Sequence, residues 1–218
     1  GIDIETCSAA DLSDYGAWAY SQHESTIVYV VSLCYVEDGV PGSVWRWYPG
    51  QGLPPEFLGY LAAGGQLLAH NAGFEHAIWT NILQKDYAFP ALELTQWLDS
   101  QPVGLECNLP TKLEGLSKSL GTAVQKDMAG HKLMMRLAVA REVSGEYIYP
   151  KCTDTELELL SLYCDDDVLA MIGAWTKLKP LSVLEERVRR LDQRINERGV
   201  FLDQHFARKV RKLAERRS

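Results

Sequence analysis

Several features that define other classes of protein are missing from this 218-residue sequence. No apolar run approaches the roughly 20 residues that a membrane-spanning helix needs, so we expect no membrane partner. There is also no secretory signal, no internal repeat and no low-complexity segment. The five cysteines are an odd number without a CxxC pair, which argues against a disulfide framework and against a zinc site. We therefore expect free thiols in a reducing compartment.

A net positive charge is missing too, because the formal net charge is −7. The charge is distributed unevenly along the chain. Residues 177–218 carry 13 Lys and Arg against 6 Asp and Glu, whereas residues 1–176 carry 9 against 23. An acidic body with a basic C-terminal segment is compatible with a nucleic-acid partner, although a solvated helix face explains the basic residues equally well.

The apolar pattern predicts an α/β fold. Runs rich in β-branched and aromatic residues predict strands at 1–6, 27–36, 42–48, 67–70 and 91–95. Helices are predicted at 54–63, 74–83, 112–120, 131–140, 155–178, 182–198 and from 204 onwards. The candidate caps of the third, fifth and last of these are Thr111, Thr153 or Asp154, and Asp203, and Gly199 is expected to stop the helix at 182–198. The order β-β-β-α-β-α-β predicts a mixed five-stranded sheet flanked by helices. Pro180 ends the long helix, so we expect one domain at 1–178 and a helical segment at 179–218. Because the sequence opens directly on a strand, we also expect it to be cut from a longer protein.

Two carboxylates lie on the first predicted strand. Asp3 and Glu5 project to one side of it, while Ile2 and Ile4 project to the other and can pack. Two like charges this close repel each other unless a cation neutralises them, and carboxylate oxygens suit Mg²⁺ or Mn²⁺. The strand therefore predicts a metal site, but alternating carboxylates on a solvated strand face would have the same pattern.

Two further segments of the chain contain candidate site residues. Glu75 comes after the strand at 67–70, in the first turn of a helix, where it could equally interact with the helix dipole. Tyr163 and Asp167 are four residues apart on the long helix and share one face. Asp167 precedes an apolar pair and is expected beside the core, whereas Asp165 and Asp166 are expected to face solvent.

In combination these segments resemble a known family. They read Asp3-Ile4-Glu5-Thr6, Ala69-His70-Asn71-Ala72-Gly73-Phe74-Glu75 and Tyr163-Cys164-Asp165-Asp166-Asp167-Val168-Leu169-Ala170. Together they resemble the DEDD exonucleases of the Tyr subclass, and most closely the proofreading domain of bacteriophage-type family A DNA polymerases. The resemblance implies an RNase H-like fold for about the first 175 residues. Residues 186–203 are similar to the helix that leads into the polymerase domain of such enzymes, so residues 179–218 would begin a truncated polymerase domain.

The resemblance also implies an activity and a site. The activity would be a metal-dependent 3′→5′ exonuclease that releases nucleoside monophosphates from DNA, with two divalent ions, Mg²⁺ or Mn²⁺, as cofactors. Asp3, Glu5 and Asp167 would hold the first ion, Asp3 would bridge to the second with Glu75 in its outer sphere, and Tyr163 would orient the attacking water. Most family A enzymes have Asp where this chain has Glu75, which puts the second ion's site in question.

The implied substrate is a DNA 3′ end that is single-stranded or frayed. Thr6 and Asn71 would contact the terminal nucleotide, and Phe74 would pack against a base or belong to the ordinary core. A polymerase domain, missing from this sequence, would be the partner in cis. The implied location is the cytoplasm of a bacterium or of a phage-infected host cell.

Two alternatives stay open at this stage. The same fold could be an RNase D-like 3′→5′ exoribonuclease, although residues 195–203 do not resemble the start of a helical RNA-binding domain. It could also be a non-catalytic scaffold that braces a polymerase, although such domains usually lose carboxylates and all four positions here are acidic.

Overall fold

The first half of the chain follows the predicted order of strands and helices, with one additional helix between the first two strands. A computed structural model describes residues 1–123 and 128–215. Lys126 and Asp127, which were expected before a helix, and residues 216–218, where the last helix was expected to continue, lie outside these ranges. The described chain divides into two compact units, Gly1–Ser182 and a second unit that begins at Val183.

The largest sheet of the first unit is an antiparallel meander. Its strands are β1 (Ile2–Cys7), β2 (Ile27–Glu37) and β3 (Val40–Trp47), in the order β1-β2-β3. Ile2 and Ile4 are buried in the core, as the alternation on β1 predicts. The β2–β3 turn places Asp38 and Gly39 at φ angles of 50° and 78°, a left-handed pair that suits the twist of a tight hairpin.

Two smaller sheets complete the strand content. Strands β4 (Leu67–Ala69) and β5 (Trp97–Asp99) are parallel, and β6 (Arg141–Val143) and β7 (Glu146–Ile148) form a hairpin. Strand β1 contacts β4, but within the described residues no hydrogen-bonded ladder joins them. The five expected strands are therefore present in two separate sheets, and a single five-stranded RNase H-like sheet stays a prediction.

One predicted strand is misplaced, and one hairpin was not predicted at all. The fifth strand was expected at 91–95 but lies at Trp97–Asp99. The expected range runs into a 3₁₀ turn, Leu94–Gln96, around which Glu93 and Gln96 form a reciprocal capping box. The strand begins only where Trp97 enters the core. The β6–β7 hairpin was not predicted, since its strands are three residues long and largely exposed and so have no apolar pattern.

The helices of the first unit are short, apart from the last one. In the first unit they are α1 (Leu12–Gln22), α2 (Pro55–Ala62), α3 (Ala72–Ile78), α4 (Gln84–Tyr87), α5 (Ser100–Glu106), α6 (Leu113–Leu120), α7 (Met128–Leu137) and α8 (Asp154–Trp175). Helix α1 is kinked at Gly16, whose φ of 71° is outside the helical range. Thr111 was expected to cap α6, but Lys112 occupies that position. None of the helices in the described ranges is long and apolar enough to cross a membrane.

The main core lies between the meander and the helix that follows β4. A π-helical turn, Trp79–Leu83, joins α3 to α4 and keeps Trp79 fully buried. The ring of Trp79 packs edge-on against Phe89 and Trp97, with ring centres 4.9 and 5.8 Å away. This aromatic cluster fixes α3 against β5 and so fixes the turn between β4 and α3.

Helix α8 is the longest element and crosses the meander. As predicted, Thr153 caps it, and Glu156 completes a capping box. Asp165 was expected to face solvent, and this is wrong. Its carboxylate accepts hydrogen bonds from Ser32 Oγ at 2.6 Å and from Arg46 Nε at 2.8 Å, so it joins α8 to β2 and β3.

The second unit consists of two helices, α9 (Val183–Arg198) and α10 (Gln204–Glu215). Gly199 follows α9 with a φ of 67°, in agreement with its predicted role as the helix stop. Asp203 caps α10 as predicted, because its carboxylate accepts a hydrogen bond from the amide of Phe206 at 2.9 Å.

Candidate metal centre

All eight predicted site residues line one cleft. It has a volume of about 780 Å³ and lies at the meeting point of β1, the turn after β4, α7 and α8. The predicted residues in its wall are Asp3, Glu5, Thr6, Asn71, Phe74, Glu75, Tyr163 and Asp167. Segments that are more than 150 residues apart in the chain therefore meet at a single place.

The tightest cluster of possible ligand atoms joins two residues of the cleft to a buried cysteine that does not line it and that was not predicted as a site residue. Possible ligand atoms of Asp3, Glu5 and Cys164 lie within 4.8 Å of one another, and among the described residues Glu75 and Asp167 are not part of this closest group. The Cys164 thiol donates to Asp3 Oδ2 at 3.1 Å. Burial and the charges of Asp3 and Glu5 raise the pKa of the thiol well above its usual range, so it stays protonated and acts as a donor.

Glu75 is an unfavourably placed carboxylate of the cleft. It is only 4% exposed, and its Oε2 atom has no hydrogen-bond partner within the described part of the chain. Burial first, and then the charge of Asp3, raise its pKa well above the usual value, with smaller contributions from Asp99 and Glu5. A buried carboxylate oxygen without a donor costs free energy unless a proton or a cation satisfies it.

Tyr163 and Asp167 occupy adjacent turns of α8, as the four-residue spacing predicts. Both are buried at the cleft wall. Burial and the neighbouring Asp167 raise the pKa of the Tyr163 hydroxyl far above its usual value, with further contributions from Glu5 and Asp3. The hydroxyl is therefore protonated at neutral pH and is a donor, not a base.

The three residues predicted to contact a nucleotide also line the cleft, next in the chain to two of its carboxylates or close to them. A register shift between Glu5 and Thr6 on β1 lets both of these neighbours face the cleft. The Thr6 hydroxyl hydrogen-bonds the Tyr20 hydroxyl at 2.9 Å, and the Tyr20 ring lies 5.9 Å from that of Phe74. Phe74 is half-buried against the core and still borders the cleft, while Asn71 is exposed. Tyr20 had no signal in the sequence, because the partners of its side chain, Thr6 and Phe74, are distant in the chain.

The donor set fits a hard divalent cation. Asp3, Glu5, Glu75 and Asp167 supply carboxylate oxygens, which Mg²⁺ and Mn²⁺ prefer. Among the described residues that line the cleft there is no Lys or Arg to neutralise them. The buried Oε2 atom of Glu75, which has no hydrogen-bond partner within the described residues, would also be stabilised by a positive charge. The structure thus shows an acidic cluster that could hold a metal, with Cys164 as a hydrogen-bond donor beside it.

Comparison with known proteins gives one informative match. No family model matches the sequence, and no solved structure does. A curated protein does match. The chain is similar to a phage DNA polymerase. It is 30% identical over 211 residues to the DNA polymerase of Bacillus phage SP02, and the match covers 93% of this chain but only 31% of that polymerase. The chain therefore spans about a third of the length of the relative it matches.

Proposed function

We propose that this chain is a metal-dependent 3′→5′ exodeoxyribonuclease, the proofreading part of a family A DNA polymerase. The observation that carries the proposal is the meeting of four carboxylates and a tyrosine in one cleft without a lining Lys or Arg among the described residues. The similarity to a phage DNA polymerase supports DNA as the substrate. On this proposal residues 1–178 form an RNase H-like exonuclease domain, and residues 179–218 begin the polymerase domain.

The residues of the cleft have separate roles in this proposal. Asp3, Glu5 and Asp167 would hold one divalent ion, and Asp3 would also hold the second, with Glu75 in its outer sphere. Bound ions would supply a hydroxide nucleophile at neutral pH and stabilise the leaving 3′ oxygen. The Tyr163 hydroxyl, which stays protonated, orients the attacking water by hydrogen bonding.

Asn71, Phe74 and Thr6 would hold the terminal nucleotide in the cleft. Asn71 is exposed there and can donate or accept a hydrogen bond, and the half-buried Phe74 would pack against a base. A frayed or single-stranded end reaches such a cleft more easily than a paired end, because unpairing costs free energy that a mismatch has already lost.

The proposal is tested with a 5′-labelled single-stranded DNA, the matched RNA, and a primed template with all four deoxynucleotides, each with Mg²⁺ or Mn²⁺. We expect DNA to be shortened from its 3′ end to nucleoside monophosphates, RNA to be cut much more slowly, and the primer never to be extended. Faster cleavage of RNA would favour an RNase D-like enzyme, and a folded protein that cuts neither would favour a non-catalytic scaffold. Either result would overturn the proposal.

A matched pair of variants on α8 assigns the cleavage to the cleft. Asp167→Asn and Asp166→Asn each remove one negative charge at adjacent positions, but only Asp167 lines the cleft. We expect Asp167→Asn to lose nearly all activity and Asp166→Asn to keep it. Equal losses would show that the charge of the helix, and not the cleft, is what matters.

A further inference from the structure

A carboxylate outside the cleft holds the turn that carries Glu75. Asp99 is the last residue of β5, and its side chain accepts three backbone hydrogen bonds. Its Oδ1 atom accepts from the amides of Asn71 and Gln101, each at 2.9 Å, and its Oδ2 atom accepts from the amide of Ala72 at 3.0 Å. One side chain thereby joins the start of α5 to the start of α3.

The turn that Asp99 holds is short and conformationally restricted. Asn71 has a φ of 72°, in the left-handed region, which few residues other than glycine, asparagine and aspartate adopt readily. Ser100 supports the same turn, since its hydroxyl contacts His70 Nδ1 at 2.8 Å and Ala69 O at 3.2 Å. Glu75 follows in the first turn of α3, so the position of its carboxylate depends on this turn.

The negative charge of Asp99 is electrostatically unfavourable beside the carboxylates of the cleft. It adds to the negative potential that raises the pKa of Glu75, and burial raises the pKa of Asp99 itself above its usual value. Asparagine would avoid this repulsion but offers a single acceptor oxygen, so it cannot accept on both sides as a carboxylate does. Because both Asp99 oxygens are used by amides and Asp99 does not line the cleft, we do not assign it as a metal ligand.

We propose that Asp99 is a positioning residue, which fixes the turn after β4 and thereby holds Glu75 in the geometry that cleavage needs. This inference rests on the proposed function. It assigns a role to a residue that contacts neither a metal ion nor DNA, and it explains why an acidic side chain sits next to an already acidic cleft.

A double-mutant cycle tests whether Asp99 acts through Glu75. We expect Asp99→Asn to lower kcat about ten-fold at saturating DNA and to raise the Mn²⁺ concentration needed for half-maximal rate, the size of effect known for residues that orient metal ligands. In a Glu75→Gln background, the same change should alter kcat less than about two-fold, because the group it positions is already lost. A full ten-fold loss in both backgrounds would overturn the proposal.

The matched control is Asp203→Asn, which removes the carboxylate cap of α10 in the other unit. It should leave kcat and the Mn²⁺ dependence unchanged. If it changes them as much as Asp99→Asn does, the effect is not specific to the turn and the proposal fails.

Hydrogen exchange of backbone amides tests the hydrogen bonds to Asp99 directly, without an activity assay and without a variant. In the wild-type protein the amides of Asn71 and Ala72 should exchange slowly although Asn71 is exposed, because Asp99 accepts their protons. Exchange at the rate of a free loop in an active enzyme would overturn the positioning role alone. Slow exchange in a protein that cleaves no DNA would overturn the proposed function and leave the hydrogen bonds to Asp99 intact.

Discussion

Arg46 connects the meander to the helix that carries Tyr163 and Asp167, and its removal should be costly. The guanidinium contacts Asp165 through Nε at 2.8 Å and through its terminal nitrogen at 2.7 Å, and it contacts Glu158 at 2.8 Å. The side chains of Arg46 and Asp165 are 19% and 15% exposed, whereas that of Glu158 is 58% exposed. The pair with Asp165 is therefore the one that matters.

The expected loss follows from this partial burial. Removing one partner of a fully buried ion pair costs about 3–5 kcal/mol, and an exposed pair contributes about 0–1 kcal/mol. For Arg46→Met we expect the free energy of unfolding to fall by about 2–3 kcal/mol, because Asp165 is left with only Ser32 as donor. In a unit of this size that corresponds to a fall in melting temperature of roughly 5–10 °C.

Urea unfolding at low and high salt measures this loss. Arg46→Met/Asp165→Asn should recover more than half of it, since asparagine keeps an acceptor for Ser32 and carries no charge. The matched control is Arg211→Met, which breaks an exposed pair with Glu215 on α10 and should cost much less. The reasoning is refuted if Arg46→Met costs no more than Arg211→Met, or if neutralising Asp165 recovers nothing.

The remaining predictions concern the cleft. Asp3→Ala should abolish cleavage while leaving the melting temperature of the metal-free protein unchanged or higher, because a repelled charge is removed; normal exonuclease rates would show that the site is elsewhere. Tyr163→Phe should slow single-turnover cleavage far less than Asp167→Ala, since it removes one orienting hydroxyl and no ligand; equal losses would mean that Tyr163 has a further role. Glu75→Asp should retain activity, and an inactive but stable variant would show that the extra methylene sets the geometry. Folding raises the pKa of Glu75, so this residue contributes most to the free energy of unfolding of the metal-free protein at low pH. The contribution declines as pH rises from about 4.5 through the raised pKa. Melting in EDTA across that range should show Glu75→Gln to be less pH-dependent and, above the raised pKa, more stable than the wild type, and parallel curves would contradict this.

Local patterns predicted the carboxylates and the tyrosine that line the cleft. The two-residue period of β1 places Ile2 and Ile4 in the core and Asp3 and Glu5 at the cleft, because alternation is a property of any strand. The four-residue spacing of Tyr163 and Asp167 is likewise a property of any helix. These residues could be assigned without knowing what they pack against.

Features that depend on distant contacts could not be predicted in this way. Asp165 was expected in solvent because its partner, Arg46, is 119 residues away in the chain. Asp99 was missed because the strand before it was placed too early. Cys164 did have a signal, since it lies three residues before Asp167 and so shares part of its helix face.

The lack of cationic side chains in the described lining of the cleft has a consequence for how DNA is held there. Four carboxylates without a lining Lys or Arg repel phosphate, so the bare cleft should not attract a strand by itself. Under the proposed arrangement, two divalent ions would cancel this charge and turn repulsion into attraction. The affinity of the cleft for a 3′ end would then be controlled by divalent ions, and a chelator would release the bound end as well as stop its cleavage.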